Sequence, residues 1–220
     1  MRINQYVAMS TGLSRRSADK AINEGRVTVN GNPAQTGQKI DTVDSVAIDR
    51  KPIKPADKLI TVILNKPVGY VCSRSGQGNK TVYELLPPGL HHLKPVGRLD
   101  KDTSGLLVLT NDGILAHRLT HPSFDKKKIY KVMLNKQLVP EDKTKISRGI
   151  KLEDGISKLK FSSLVHDQSA RAFVVSMHEG RNRQIRRTFA ALGYRVTKLQ
   201  RIAFGDYQLG TLNSGKYIVS

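Results

Sequence analysis

The chain has 220 residues, 38% of them apolar and 25% charged, the proportions of an ordinary globular protein, which argue against disorder. Its 37 lysines and arginines against 18 acids give a formal charge of +19, which calls for a polyanionic partner, nucleic acid or an anionic membrane. No apolar stretch approaches the roughly 18 residues needed to span a bilayer, MRINQYVAMS lacks the apolar core of a signal peptide, and the single cysteine, Cys72, excludes an intrachain disulfide. A cytoplasmic protein working on RNA or DNA is the expectation.

Residues 1 to 49 read as a small unit. RINQYVAMS has apolar residues at 3, 6, 7 and 9, a short amphipathic helix. Ser14 is placed to cap a second helix over RRSADKAINEG, with Gly25 just past its end. RVTVNGNPA alternates Val27 and Val29 before Asn30-Gly31, a strong hairpin signal, and DSVAID gives a further strand. RKPIKPAD, residues 50 to 57, has two prolines and four charges without periodicity and reads as a linker. Residues 58 to 220 form the larger unit. LITVILNKP, YVCS and LLVLTND are predicted strands, and ILAHRLTH is a short helix opened by the Asp112-Gly113 turn. KIYKVMLN reads as a strand, PEDKTKISRGI as a helix, KLKFSSLVHD and RAFVVSMHEG as paired strands, and RNRQIRRTFAALG as a helix. The chain then ends in short strands around RIAFGDYQL. The fold class is α+β, built on a mixed, largely antiparallel sheet flanked by helices.

Residues 1 to 57 carry nine basic and six acidic side chains, and residues 58 to 220 carry 28 and 12. In the small unit the candidate RNA contacts are Arg15, Arg16 and Lys20 on or beside the second helix, Arg26 at the start of the hairpin, and Arg2 at the start of the first helix. The segment 181 to 201 holds Arg181, Arg183, Arg186, Arg187, Arg195, Lys198 and Arg201 without an acid. On its helix Ile185, Phe189 and Leu192 share an apolar stripe, while Arg186 falls near the border of the buried face. A cation there needs a carboxylate from another segment. Asp100, set between Arg98 and Lys101 in GRLDKDTSGLLVLTNDG, is the candidate. Asp102 reads as a solvated or turn-capping acid beside Lys101. His117 and His121 have helical i, i+4 spacing but no third ligand, so no metal site is expected. Lys66 is either a phosphate contact or a strand-end charge, and Cys72 a small core residue. Composition alone leaves open a non-catalytic RNA-binding or ribosome-assembly factor.

Four segments in this order, LNKPVGYVCS, GRLDKDTSGLLVLTNDG, KKIYKV and EGRNRQIRRTFAALG, resemble the RsuA family of pseudouridine synthases, with its RluB, RluE and RluF branches. The first unit is similar to the alpha-L RNA-binding fold found also in small-subunit ribosomal protein four. RGIKLEDG and TVYELLP look most like the RluB branch, which implies large-subunit ribosomal RNA as substrate. The resemblance implies that a uridine base is detached at N1, rotated and rejoined to the ribose through C5, with no cofactor. It implies Asp100 as nucleophile, Tyr130 as the ring that stacks on the base and takes the C5 proton, and Arg186 as the partner of Asp100. Leu199 would pack against the base, with Arg98, Arg183 and, if it is a phosphate contact, Lys66 on the substrate side. The implied partner is ribosomal RNA or an assembly particle, bound by a monomer away from membranes. A binder has no need of an acid inside its basic groove, so Asp100, Tyr130 and Arg186 discriminate the enzyme from the binding factor.

Overall fold

The computed structural model describes residues 1–55, 58–162 and 171–220. It divides into two compact units, Met1–Leu59 and Ile60–Ser220.

In the first unit α1 (Ile3–Thr11) ends at Gly12, whose φ of 76° only glycine adopts without cost. The second helix, α2 (Arg15–Asn23), starts where the Ser14 hydroxyl accepts from the Ser17 amide, the expected cap. Strands β1 (Val27–Val29) and β2 (Asn32–Pro33) join through Asn30 and Gly31, both at positive φ, as the Asn-Gly signal requires. β3 (Val46–Ile48) follows, and then a strand that the sequence reading misses. Lys51–Ile53 is not linker but β4, paired antiparallel with β3 through a turn in which Asp49 and Arg50 both have positive φ. Pro52 is tolerated because β4 is the edge of the sheet order β2-β1-β3-β4. Ile3, Val7, Ala18, Ile22, Val27 and Val46 form the unit's own core.

The second unit is organised on one mixed sheet. β5 (Thr61–Lys66) is followed by β6 (Lys94–Val96), β7 (Ser104–Thr110) and the helix α3 (Gly113–Thr120), whose first amides are capped by Asp112. Then come β8 (Lys128–Leu134), α4 (Pro140–Arg148), a hairpin of β9 (Ile150–Leu152) and β10 (Gly155–Ser157), and the pair β11 (Lys160–Ser162) and β12 (Ala172–Met177). The remaining elements are α5 (Gln184–Ala190), β13 (Val196–Phe204), β14 (Tyr207–Gln208) and β15 (Tyr217–Val219). The sheet order is β11-β12-β8-β13-β7-β5-β15, with β14 on β13 and β6 on β7. Of its pairs, β13 with β7 is parallel and the others antiparallel.

Both faces of this sheet are covered, which explains the near-continuous apolar run in β7. Leu107 and Leu109 face a core with Val62, Leu64, Val132, Ile185 and Phe189, while Leu106 and Val108 face another with Ile63, Leu119 and Phe204. Two readings need correction. YVCS is no strand: Val71 makes an isolated bridge to Thr81 and the segment is otherwise loop. The chain end does hold the short strands β14 and β15, but RIAF is the end of β13, which runs nine residues through the middle of the sheet. Its polar residues Thr197, Lys198 and Gln200 had masked the alternation of Val196, Leu199 and Arg201 inward. Part of the predicted strand KLKFSSLVHD lies outside the described residues.

Candidate active site

Asp100 sits in the connection between β6 and β7, and the backbone there is tied down from several sides. Lys66, at the end of β5, is fully buried, and its Nζ donates to the carbonyls of Pro67, Asp100 and Thr103 at 3.0, 3.1 and 2.7 Å. Three carbonyls take all three ammonium protons, so Lys66, a charge at the strand end, has no proton left for a phosphate and clamps this loop. Burial pushes its pKa below the usual lysine value. The Leu99 amide and carbonyl both lie 3.4 Å from Cys72 Sγ, and the Gly69 amide donates to the Lys101 carbonyl at 2.8 Å. The Asp100 side chain is left 38% exposed. It lines a cleft of about 860 Å³ shared with Tyr130, Leu199, Arg98 and Arg201.

The cations expected around Asp100 are present, but the pairing differs from expectation. Arg186 does not bond to Asp100. Its Nη2 donates to the Asp102 carbonyl at 2.8 Å, its Nη1 to the Val196 carbonyl at 2.9 Å, and its Nε lies 3.2 Å from Asp102 Oδ2. Arg183 holds Asp102 in a two-pronged bond, 2.9 Å on each side, and reaches Asp100 Oδ2 at 3.8 Å. Asp102 is therefore not a solvated turn acid but the anchor of both arginines. The hydrogen bonds from Arg183, ahead of the charges of Arg186 and Arg183, hold its carboxyl below the usual carboxylate range. Arg183 caps α5 with φ at 46°, a left-handed conformation uncommon for a non-glycine residue, which aims its side chain back at the loop.

The start of α5 is fixed by a buried polar set. Gln184 Nε2 donates to Ser157 Oγ at 3.0 Å and to Glu179, Ser157 and Thr188 share a proton at 2.8 Å, and Thr188 Oγ1 donates to the Gln184 carbonyl. Arg181 and Arg187 converge on Asp154 of the β9–β10 turn at 2.9 and 2.6 Å. Arg181 ahead of the helix and Arg187 on it thus hold that hairpin.

Tyr130 and Leu199 are placed by register. Tyr130 in β8 stands opposite Arg201 in β13 and Val175 in β12, and Leu199 opposite Val132. Arg201 stands opposite Gly105 of β7, and Gly105 opposite Lys66 of β5. Lys66, Gly105, Arg201, Tyr130 and Val175 therefore form one row across five strands. Gly105 has φ of 106°, and a Cβ there would collide with the Arg201 backbone, so glycine permits the close approach of β7 and β13. The rim of the cleft adds Lys126, Lys128, Lys158 and Lys160. Burial first, and Arg201 second, lower the Lys128 pKa.

Of the small unit's RNA candidates, Arg2, Arg15 and Arg16 are exposed, and Lys20 is exposed beside Glu24 at 3.7 Å. Arg26 is exposed too, and it grips Asp49 with Nε and Nη2 at 2.8 and 2.6 Å, which raises its pKa and ties β1 to the β3–β4 turn. His117 and His121 stack with ring centroids 4.7 Å apart and pack on Phe124. Among the described residues no group of three or more His, Cys, Asp or Glu is placed to hold a metal. Among the described residues no helix is long and apolar enough to cross a membrane.

Comparison with known proteins agrees with this architecture. Residues 60–191 match the RNA pseudouridylate synthase family and residues 1–46 the S4 domain. The chain is 40% identical to an uncharacterized RNA pseudouridine synthase of Aquifex aeolicus, over 99% of this chain and 89% of that one. It is 36% identical to ribosomal large subunit pseudouridine synthase B of Bacillus subtilis, over 97% and 89%. The dual-specificity RNA pseudouridine synthase RluF of Salmonella typhi is 33% identical over 98% and 74%. A crystal structure of a pseudouridylate synthase superposes with a TM-score of 0.70 at 31% identity, covering 100% of this chain and 96% of that one. The chain belongs to the pseudouridine synthases of the RsuA, RluB and RluF type, with an N-terminal S4 domain.

Proposed function

We propose that this enzyme isomerises a uridine of large-subunit ribosomal RNA, with Asp100 as the nucleophile. The observation that carries the assignment is the half-exposed Asp100 carboxylate in a cation-rimmed cleft that also holds Tyr130 and Leu199. The similarity to ribosomal large subunit pseudouridine synthase B over nearly the whole chain supports the choice of substrate. The target base leaves its stack, at about a few kcal/mol, and enters the cleft between the Leu199 side chain and the Tyr130 ring. A carboxylate oxygen of Asp100 bonds to ribose C1′ as the N1–C1′ bond breaks, its electron pair staying on the base. The base rotates, C5 attacks C1′ and releases Asp100, the C5 proton passes to Tyr130 or a water beside it, and N1 is reprotonated. Arg183 lies 3.8 Å from the Asp100 carboxylate and is held there by its two bonds to Asp102.

The reaction is redox-neutral and imports no group, so activity on correctly folded RNA should persist in excess EDTA with monovalent salt alone. Loss of turnover restored by zinc would overturn this and return attention to His117 and His121. The RNA is expected to contact the exposed bases of α2 through its phosphates, with the protein acting as a cytoplasmic monomer on ribosomal RNA or an assembly particle. Replacing Arg15, Arg16 and Lys20 together by alanine should lower ribosomal RNA affinity and reduce the log–log salt slope by about 2 to 3, since each phosphate contact releases a counterion. Turnover at saturating RNA should stay near wild type. An unchanged salt slope would remove α2 from the interface. Mapping pseudouridines in ribosomal RNA from a strain lacking this gene tests the substrate: a missing large-subunit pseudouridine, restored by the purified enzyme, is the expected result.

A further inference from the structure

Arg201 is 2% exposed, yet among the described residues it forms no ion pair. Its Nε donates to the Leu106 carbonyl at 2.9 Å, and its guanidinium lies 4.8 Å from the centre of the Phe204 ring. Its Nη2 is buried with no hydrogen-bond partner. Buried arginines are ordinarily matched by a carboxylate, because an unshared charge and an unused donor in a dry environment are both costly. Asp102 does this for the largely buried Arg186, and Asp154 for Arg181, so this chain follows the rule elsewhere. Arg201 departs from it at the floor of the cleft that also holds Asp100, opposite Tyr130 and two residues from Leu199 on the same face.

We infer that the free Nη2 of Arg201 is reserved for a carbonyl oxygen of the flipped uracil. The inference rests on the cleft being the uridine site. Once the N1–C1′ bond has broken with its pair on the base, the detached ring is an anion whose charge spreads over N1, O2 and O4. A preformed donor on a cation that has no other counter-charge favours that anion over the neutral nucleoside, which lowers the barrier rather than tightening ground-state binding. The stack on Phe204 and the bond to Leu106 fix the guanidinium plane, and because Nη2 has no surface open to solvent, a base oxygen reaches it only as the cleft floor adjusts around the bound base. Arg201 thereby contacts the reacting base and belongs with the catalytic residues, while Lys66, on the same cross-strand row, has all its donors committed to carbonyls.

The test uses the full-length protein and tritium-labelled ribosomal RNA, with enzyme in excess so that one turnover is read. Wild-type tritium release establishes the uridine reaction independently of Arg201. Arg201→Met is expected to slow the single-turnover rate by about 100-fold, the size seen when one preformed donor is removed. The dissociation constant for the RNA should stay within about threefold of wild type. Arg201→Lys keeps the charge and should recover at least part of the rate, which a purely packing role would not predict. The same RNA assembled with 2-thiouridine or 4-thiouridine at the modified position weakens one acceptor at a time. One of the two should slow wild type yet leave Arg201→Met unaffected, and its identity names the oxygen. If Arg201→Met melts early, the thio comparison at a temperature where it is folded still decides. Equal thio effects in both proteins, or an unchanged rate in Arg201→Met, would overturn the assignment.

Discussion

Asp100→Asn is expected to abolish pseudouridine formation, lowering tritium release from C5 of labelled uridine by about 10³-fold or more, while RNA affinity stays within about twofold of wild type. The amide has the shape of the carboxylate but cannot form the bond to ribose. Nothing in the surroundings makes the substitution a folding problem. The side chain is 38% exposed, and the loop carrying it is held through backbone atoms by Lys66, Cys72 and Gly69 rather than through the carboxylate. The ion pair given up is the 3.8 Å contact to Arg183, which keeps both bonds to Asp102. At that exposure and distance its loss costs under about 1 kcal/mol. A non-catalytic RNA binder predicts another pattern. Losing one acid from a basic groove would tighten binding slightly, and neither protein would alter a uridine. Tritium release and filter binding on the same preparations separate the two, and release by Asp100→Asn at the wild-type rate would refute the nucleophile.

Local chemistry made much of the fold legible. Ser14, Asn30-Gly31 and Asp112 each solve a backbone problem with their own side chain or permitted φ, and each appears where the sequence places it. The apolar stripe of Ile185 and Phe189 also lands in the core as read. What escaped was decided by tertiary partners. Lys51–Ile53 has no strand periodicity of its own, but an edge position beside β3 accepts Pro52 and leaves the lysine in solvent. β13 looked polar because Thr197, Lys198 and Gln200 face outward and Arg201 interrupts the inward row of Val196, Leu199 and Ala203. The alternation Leu199, Arg201, in a chain segment ending in an apolar run, was the available signal that Arg201 points inward. The sequence correctly marked Arg186 as a buried cation in need of an acid, yet gave no distance by which to choose between Asp100 and Asp102. The structure assigns it Asp102, so the acid two residues beyond the nucleophile neutralises the helix cations and leaves Asp100 accessible. Lys66 was ambiguous for the same reason: its three carbonyl partners come from residues up to 37 positions away.

That clamp yields the largest expected effect on stability. Lys66→Met keeps the length of the side chain in a site with no solvent exposure, but takes the ammonium from the carbonyls of Pro67 and Thr103 and leaves the Asp100 carbonyl only the Thr103 amide at 3.1 Å. Removing a partner from buried acceptors costs about 1 to 3 kcal/mol for each group, and relief of the lysine's own desolvation offsets part of the sum. A net loss of about 2 to 4 kcal/mol follows, or a fall in Tm of about 5 to 12 °C for a unit of this size. Catalysis should suffer separately. The Asp100 carbonyl loses one of its two donors and keeps the Thr103 amide, so the nucleophile's backbone is held less firmly, and a displacement near 1 Å costs about 10²-fold in kcat. The pH dependence identifies the cause. Burial holds the Lys66 pKa below the ordinary lysine value of about 10.4, so between the two values the folded chain binds fewer protons than the unfolded chain. The cost of burying the charge is fully present below the lowered pKa and fades as pH rises toward the ordinary one. Wild type gains stability across that window from this site and Lys66→Met does not, so the difference between them should widen from neutral pH toward pH of about 10. Thermal melts of both proteins across that range, with single-turnover rates taken well below the variant's Tm, check the two effects independently. A variant as stable as wild type, or a stability gap flat in pH, would mean that Lys66 is not what holds the Asp100 loop.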